Sequence, residues 1–246
     1  MEIKFLSDVG LKRETNQDFA DVYYNQMNRP LILLADGMGG HRAGDVASRL
    51  AVETLGIMWQ NADFNEPESV ADWLVQNIQG LNEEIYAKGE HDLDYQGMGT
   101  TIVAAAIFDD SVTLAHVGDS RAYIIRQNQI YQLTSDHSLV NELLQSGAIN
   151  EEEAENHPNK NVLTRSVGMP GTVEIDVTNQ QFHVGDYLLV ASDGLTNMVN
   201  DEGILEILNW SETVEDKVYS LVQEANENGG RDNITVVLVS FDEGGV

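Results

Sequence analysis

The sequence contains no cysteine, which excludes disulfides, thiolate-held metals and a cysteine nucleophile. It has four prolines in 246 residues and no Pro/Ser-rich linker, internal repeat or low-complexity tract, so nothing marks a boundary between domains. Positive charge is scarce: 13 Lys and Arg stand against 41 Asp and Glu, a formal charge of −28. Such a surface repels nucleic acid and anionic lipid, and it repels phosphorylated substrates too unless cations gather locally at a site. No apolar run approaches the ~20 residues a membrane helix needs. The opening stretch MEIKFLSDVG lacks both a basic leader and a long apolar region. The expectation is a cytoplasmic protein without nucleic-acid partner or membrane segment, and nothing points to a dimer, so a monomer is expected.

What the sequence does have is apolar patterning, with 42% hydrophobic residues. Alternation and β-branched residues predict strands near 2–8, 19–25, 31–35, 101–108, 111–118, 121–126, 129–133, 173–178, 187–192 and 234–241. Helical spacing links Val46, Leu50, Thr54 and Met58, and again Val70, Trp73, Leu74, Ile78, Leu81 and Ile85. A third helix carries Val214, Val218, Leu221, Val222 and Ala225 and stops at NGG. Strands and helices come in blocks rather than strict alternation, which favours antiparallel sheet with helices on its faces, an α+β layered fold. Residues 136–172 are polar, with two short helical patterns and two of the prolines, and they lie between strands. They read as a flap inserted in a single domain spanning 1–246.

Acids recur at strand edges. Asp36 follows Leu31–Ala35, Asp119 follows Val112–Val117 and Gly118, and Asp193 follows Leu188–Ala191 and Ser192. Asp232 precedes Ile234–Val239 and Asp18 precedes Phe19–Tyr23. Strand ends of one sheet can converge, and converging carboxylates repel strongly unless a cation lies among them. Hard ions such as Mg²⁺ and Mn²⁺ prefer oxygen donors. A glycine after Asp36 would let a backbone carbonyl approach such an ion without Cβ interference. The plain alternative for any one Asp-Gly is turn chemistry, and spacing alone leaves both readings open. Two lookalikes fail. GMGGHR puts Arg42 where a dinucleotide loop needs its last glycine. DLDYQG opens like a calcium loop but reaches Val103 at its twelfth position.

KRETNQD, LADGMGGHRAGDVAS, GMGTT, AHVGDSRAY, LTSDHSLV, SDGLTNMV and GGRDNITVVLV occur in this order between residues 12 and 239. Taken together, these motifs resemble the bacterial metal-dependent protein Ser/Thr phosphatases of type 2C (PPM), a likeness that covers about residues 3 to 241. The likeness implies a four-layer α/β/β/α sandwich, two antiparallel sheets flanked by helices, with the site in a cleft at one end. It implies two tightly bound Mn²⁺ or Mg²⁺ ions plus a weaker third. Asp36 would bridge the two, Gly37 would offer its carbonyl, Asp193 and Asp232 would hold the first ion, and Asp18 would act mainly through water. Asp119 with Asp193 would hold the third, and Arg13 would grip the substrate phosphate. A metal-bridging hydroxide would attack phosphorus directly, on phosphorylated proteins, reversing the work of a cognate Ser/Thr kinase in bacterial signalling.

Two positions depart from the pattern. Gln17 stands where some relatives carry Glu, and Met38 where eukaryotic relatives carry a histidine proposed as general acid. His41 is near in sequence, but the preferred proton donor is a metal-bound water. A binding protein without turnover, a phosphatase of small metabolites and a purely structural acidic protein are the competing readings. The first would need a lost acid, and the last leaves the ordered motifs unexplained.

Overall fold

The computed structural model describes residues 1–40, 43–210 and 212–242. Its apolar strands pair into two antiparallel sheets. One has five strands in the order β1 (Glu2–Asp8), β11 (Ile234–Ser240), β10 (Tyr187–Ala191), β7 (Arg121–Arg126), β8 (Gln129–Gln132). The other runs β2 (Asp18–Tyr24), β3 (Pro30–Met38), β5 (Ile102–Ile107), β6 (Ser111–Val117), β9 (Asp176–Gln181), with the short β4 (Gly99–Thr100) paired to the end of β3.

The two sheets face each other across a buried layer in which Ile32, Leu34, Val103 and Leu114 meet Ile124, Leu188, Val190 and Val237. Alternate residues of the same strands point outward and are buried again. Leu31, Leu33 and Ala104 pack under α1 (Ala43–Gln60) and α2 (Val70–His91). Leu189, Val236 and Leu238 pack under α6 (Asp201–Trp210) and α7 (Val214–Glu227). A strand covered on both faces has no use for a polar alternate residue, which is why LILLA and ITVVLV read as unbroken apolar runs. The architecture is helices, sheet, sheet, helices. No helix among the described residues is long and apolar enough to cross a membrane.

Residues 136–172 carry α3 (Leu139–Gln145) and α4 (Glu151–Glu155), the latter opened by a capping box between Asn150 and Glu153. The segment is tied down at its return. Val167 bridges to Thr100. The buried Asn82 of α2 accepts from the amides of Gly168 and Met169 at 2.8 and 2.9 Å and donates to the carbonyls of Met169 and Gly171, each at 2.9 Å.

Two strand boundaries and one helix differ from the sequence expectation. β3 continues through Asp36 to Met38, because Gly37 and Met38 find partners in Thr100 and Gly99. The last strand of the second sheet is 176–181 rather than 173–178, its register with β6 setting its place. α6 was not expected, although Ile204 and Leu208 at helical spacing after Asp201-Glu202 carry its signal. The four terminal residues of the expected 1–246 domain, 243–246, and His41 and Arg42 lie outside the described residues.

Candidate metal centre

The antiparallel pairing of β2 with β3 sets Asp18 directly opposite Asp36. Like charges in that position weaken a ladder, so the backbone there is held by other means. The Asp36 amide donates to Thr101 Oγ1 at 2.9 Å, and its carbonyl accepts from the Thr101 amide at 2.8 Å and from Thr100 Oγ1 at 2.9 Å. Thr101 Oγ1 also bonds Ser120 Oγ at 2.8 Å, which ties in the turn carrying Asp119.

The second sheet supplies the other acids. Asp193 does not sit on a glycine turn, as the strand-end reading implies, but opens a single helical turn, α5 (Asp193–Thr196). Asn197 Nδ2 donates to its Oδ2 at 2.9 Å. Asp232 lies two residues before β11, and Asn233 between them organises the loop opposite. Asn233 Oδ1 accepts from the Gln17 amide at 2.8 Å, while its Nδ2 donates to the carbonyls of Val9 and Thr15, each at 2.9 Å. That loop presents Arg13, whose Nη2 donates to Asp232 Oδ2 at 2.6 Å.

Both Asp-Gly pairs owe their glycine to close backbone approach. A Cβ on Gly37 would lie 2.1 Å from the Gly44 carbonyl oxygen, and one on Gly194 would lie 1.8 Å from that of Asn233. Neither glycine has a positive φ. The pair therefore packs an acid-bearing strand end against a neighbouring backbone, at α1 in one case and before β11 in the other.

Arg13, Asp36, Gly37, Asp119, Asp193 and Asp232 line one cleft of about 380 Å³, with Met38 at its wall. Asp18 lies buried below it, where Ser192 Oγ donates to its Oδ2 at 2.7 Å. A larger groove of about 1120 Å³ shares Asp119 and Asp193 with the cleft and runs on between the 136–161 segment and α5–α6.

Burial, followed by Asp18, Asp193, Asp119 and Asp232, pushes the Asp36 carboxyl well above the usual range. Burial and then Asp119, Asp232 and Asp18 raise Asp193 to about 8. Asp18 and Asp119 are shifted upward in the same way, burial leading in both. The buried oxygens Asp18 Oδ1 and Asp193 Oδ1 have no hydrogen-bond partner. Crowded acids raised by one another, with orphaned buried carboxylate oxygens and, among the described residues, no imidazole or thiolate beside them, fit a hard divalent cation.

All the acids expected from sequence are thus brought to one end of the sandwich. Sequence reasoning passed over the supports: Thr100, Thr101, Ser120, Ser192 and Asn233. Each stands inside or beside a quoted motif, but small polar residues carry no signal of their own until the backbone they hold is seen.

The profile of the family described as Protein phosphatase 2C matches residues 12–235. The chain is 47% identical over 243 residues to protein phosphatase PhpP of Streptococcus pneumoniae serotype 2, covering 99% of this chain and 98% of that protein. It superposes on the S. agalactiae serine/threonine phosphatase with a TM-score of 0.96 at 49% identity, covering 98% and 99% of the two chains. The catalytic domain of the serine threonine protein phosphatase PstP, solved in complex with two manganese ions, superposes with a TM-score of 0.82 at 35% identity and 96% coverage of each chain. The chain belongs to the protein phosphatase 2C family, a family of metal-dependent enzymes.

Proposed function

We propose that this phosphatase hydrolyses phosphoserine and phosphothreonine in proteins and that it is a single domain whose 136–172 segment forms a flap beside the active cleft. The convergence of Asp36, Asp193 and Asp232 from two different sheets on one cleft, with Asp18 opposite Asp36, carries this reading. These four acids, with the Gly37 carbonyl, are the residues that would hold two divalent ions, Mn²⁺ or Mg²⁺, and Asp119 with Asp193 would hold a weaker third. Bound there, such ions lower the pKa of water to near neutrality and draw charge from a phosphoryl group.

The chain's own contribution is positioning. Asp18, held by Ser192, stays anchored beneath Asp36 and acts through water. Arg13 already reaches across the cleft to Asp232, so its guanidinium can exchange that carboxylate for a substrate phosphate. In-line displacement then needs no covalent phosphoenzyme, only a proton for the departing serine or threonine oxygen. Met38 offers none. Water ordered at the Asp119 carboxylate is the proton source we assign. The large polar groove running from Asp119 and Asp193 along the flap favours a polypeptide substrate over a small metabolite. A cognate Ser/Thr kinase among the substrates, a monomeric state and a cytoplasmic setting complete the proposal. Phosphate release from a phosphothreonine peptide with Mn²⁺, and its abolition by chelator, tests it. Turnover confined to small phosphoesters, or unaffected by chelation, would overturn it.

Arg13→Ala is expected to raise KM for the phosphopeptide about tenfold with kcat changed little, the size of one charge-assisted hydrogen bond made in the ground state. Steady-state kinetics decide it: a collapse of kcat at constant KM would make Arg13 a transition-state group.

A further inference from the structure

Beside the cleft, a second cluster joins three distant segments. His116 lies near the end of β6, His137 at the root of the flap and Asp176 at the start of β9, with ligand-type atoms within 4.8 Å of one another. Both imidazoles are buried, and the rings stack with centroids 4.7 Å apart. The cluster is not built for a metal, because Arg165 already supplies its cation: Nη1 lies 2.9 Å from Asp176 Oδ1 and 3.2 Å from His137 Nε2.

What the cluster holds is backbone. The Gly118 amide donates to His137 Nδ1 at 3.1 Å, and the His137 amide donates to the Gly118 carbonyl at 3.0 Å. Both polar backbone groups of the residue just before Asp119 therefore end on one residue. Gly118 has φ +109° and a Cβ there would meet Thr101 Cγ2 at 2.5 Å, so the turn has no slack of its own. On the other side of Asp119, Arg121 is held by the carboxylate of Asp136 through three contacts of 2.7 to 3.0 Å. The dipeptide Asp136-His137 thus grips the chain on both flanks of Asp119.

We propose that His137 is a positioning residue for Asp119: as a neutral imidazole it clamps Gly118 through Nδ1 and fixes the aim of the Asp119 carboxylate into the cleft, touching neither substrate nor cation. This rests on the role assigned to Asp119 above. The Gly118 amide and Arg165 Nη1 are both donors, and a neutral imidazole accepts at one nitrogen only. Acceptance at Nδ1 places the ring proton on Nε2, facing Asp176 Oδ2 at 3.4 Å, while Arg165 Nη1 donates to Asp176 Oδ1 at 2.9 Å rather than to the ring. Burial, then the neighbouring His116 and Arg165, favours the uncharged ring, which keeps the Nδ1 lone pair available. A supporting residue of this kind typically changes activity or metal affinity 10- to 100-fold when lost.

Three variants separate the clamp from general support of the fold. His137→Asn puts an acceptor oxygen at the Nδ1 position, His137→Gln puts one only at the Nε2 position, and His137→Leu has none. Turnover of a phosphothreonine peptide is expected to fall about tenfold or more in the Leu and Gln variants, with peptide KM within about twofold and half-saturating Mn²⁺ raised. The Asn variant is expected to return most of the rate. In chelator-treated protein, hydrogen exchange at the Gly118 amide should accelerate about tenfold or more in Leu and Gln but not in Asn. In an Asp119→Ala background, His137→Leu should cost nothing further, since both act through one group.

Equal losses in both backgrounds, or failure of Asn to restore rate and amide protection, would overturn the proposal. If the Leu variant does not fold, the Asn–Gln comparison carries the same test. If Asp119→Ala alone keeps the wild-type rate, the assignment of Asp119 is wrong, and the Gly118 amide still decides whether the clamp exists.

Discussion

Asp193→Asn is expected to lower phosphopeptide turnover by about 10³-fold at saturating Mn²⁺, while the metal-free variant is more stable than the metal-free parent at neutral pH. The kinetic loss follows from replacing a charged donor with a neutral amide where an ion is to stabilise several kcal/mol of developing charge, each 1.36 kcal/mol being a factor of ten. The gain in stability follows from the repulsion already visible in the fold: burial, then Asp119, Asp232 and Asp18, hold the Asp193 carboxyl at about 8. A carboxyl raised in the folded state binds its proton more tightly there than in the unfolded chain, where it titrates near ~3.9. Its contribution to stability is therefore complete below about pH 4, declines as pH rises, and is gone above about pH 8. Melting in chelator should show the parent losing stability from pH 5 to 8 and the variant losing less. Near-parental rates in the variant, or parallel melting curves, would contradict the placement of Asp193 among the ion-holding acids.

Asp119→Ala is expected to lower turnover of a phosphothreonine peptide by about 10²-fold or more, the range proton transfer to a leaving oxygen supplies. On an aryl phosphate the loss should be below about tenfold, because a phenolate departs without needing a proton. Two tight ions should remain bound, since Asp18, Asp36 and Asp232 are untouched and Asp193 keeps its anchor to Asn197. Metal content by mass spectrometry and the two rates, measured on the same preparation, decide the matter. Loss of all metal would make Asp119 a core ligand, and equal loss on both substrates would remove the protonation role.

How much of this could be read from sequence depends on the kind of signal. Strands covered on both faces announce themselves as apolar runs, so β3, β5, β10 and β11 were legible to within a few residues. α6 is the harder case: its apolar residues are closely spaced in GILEILNW, a run of about two turns that periodicity alone does not separate from a short strand, and its cap, Asn200 accepting from the Gly203 amide at 2.9 Å, shows only in the fold. The acids were legible as a set because each ends or begins such a run; the role of each is what the resemblance of the ordered motifs implies. Their supports were not. Thr101, Ser192 and Asn233 matter through hydrogen bonds to backbone far along the chain, such as Asn233 to Val9 and Thr15, which no local pattern encodes. The glycines were half legible: the turn reading of Asp-Gly was reasonable, but the reason for Gly194 is a carbonyl 39 residues downstream.

The position of β11 between β1 and β10 governs how the molecule comes into being on the ribosome. Synthesis proceeds at about 5–20 residues per second from the N-terminus, so β1 and β10 both emerge before the strand that belongs between them. Until residues 234–240 arrive, each offers an unpaired strand edge of the kind that recruits other strands. Asp232 arrives only with that same segment. A nascent chain is therefore open at the sheet edge and short of one cleft acid at once, so the acid cluster and the first sheet are completed by the same late segment. The stretch of translation before β11 emerges is thus the interval in which the facing edges of β1 and β10 both stand open.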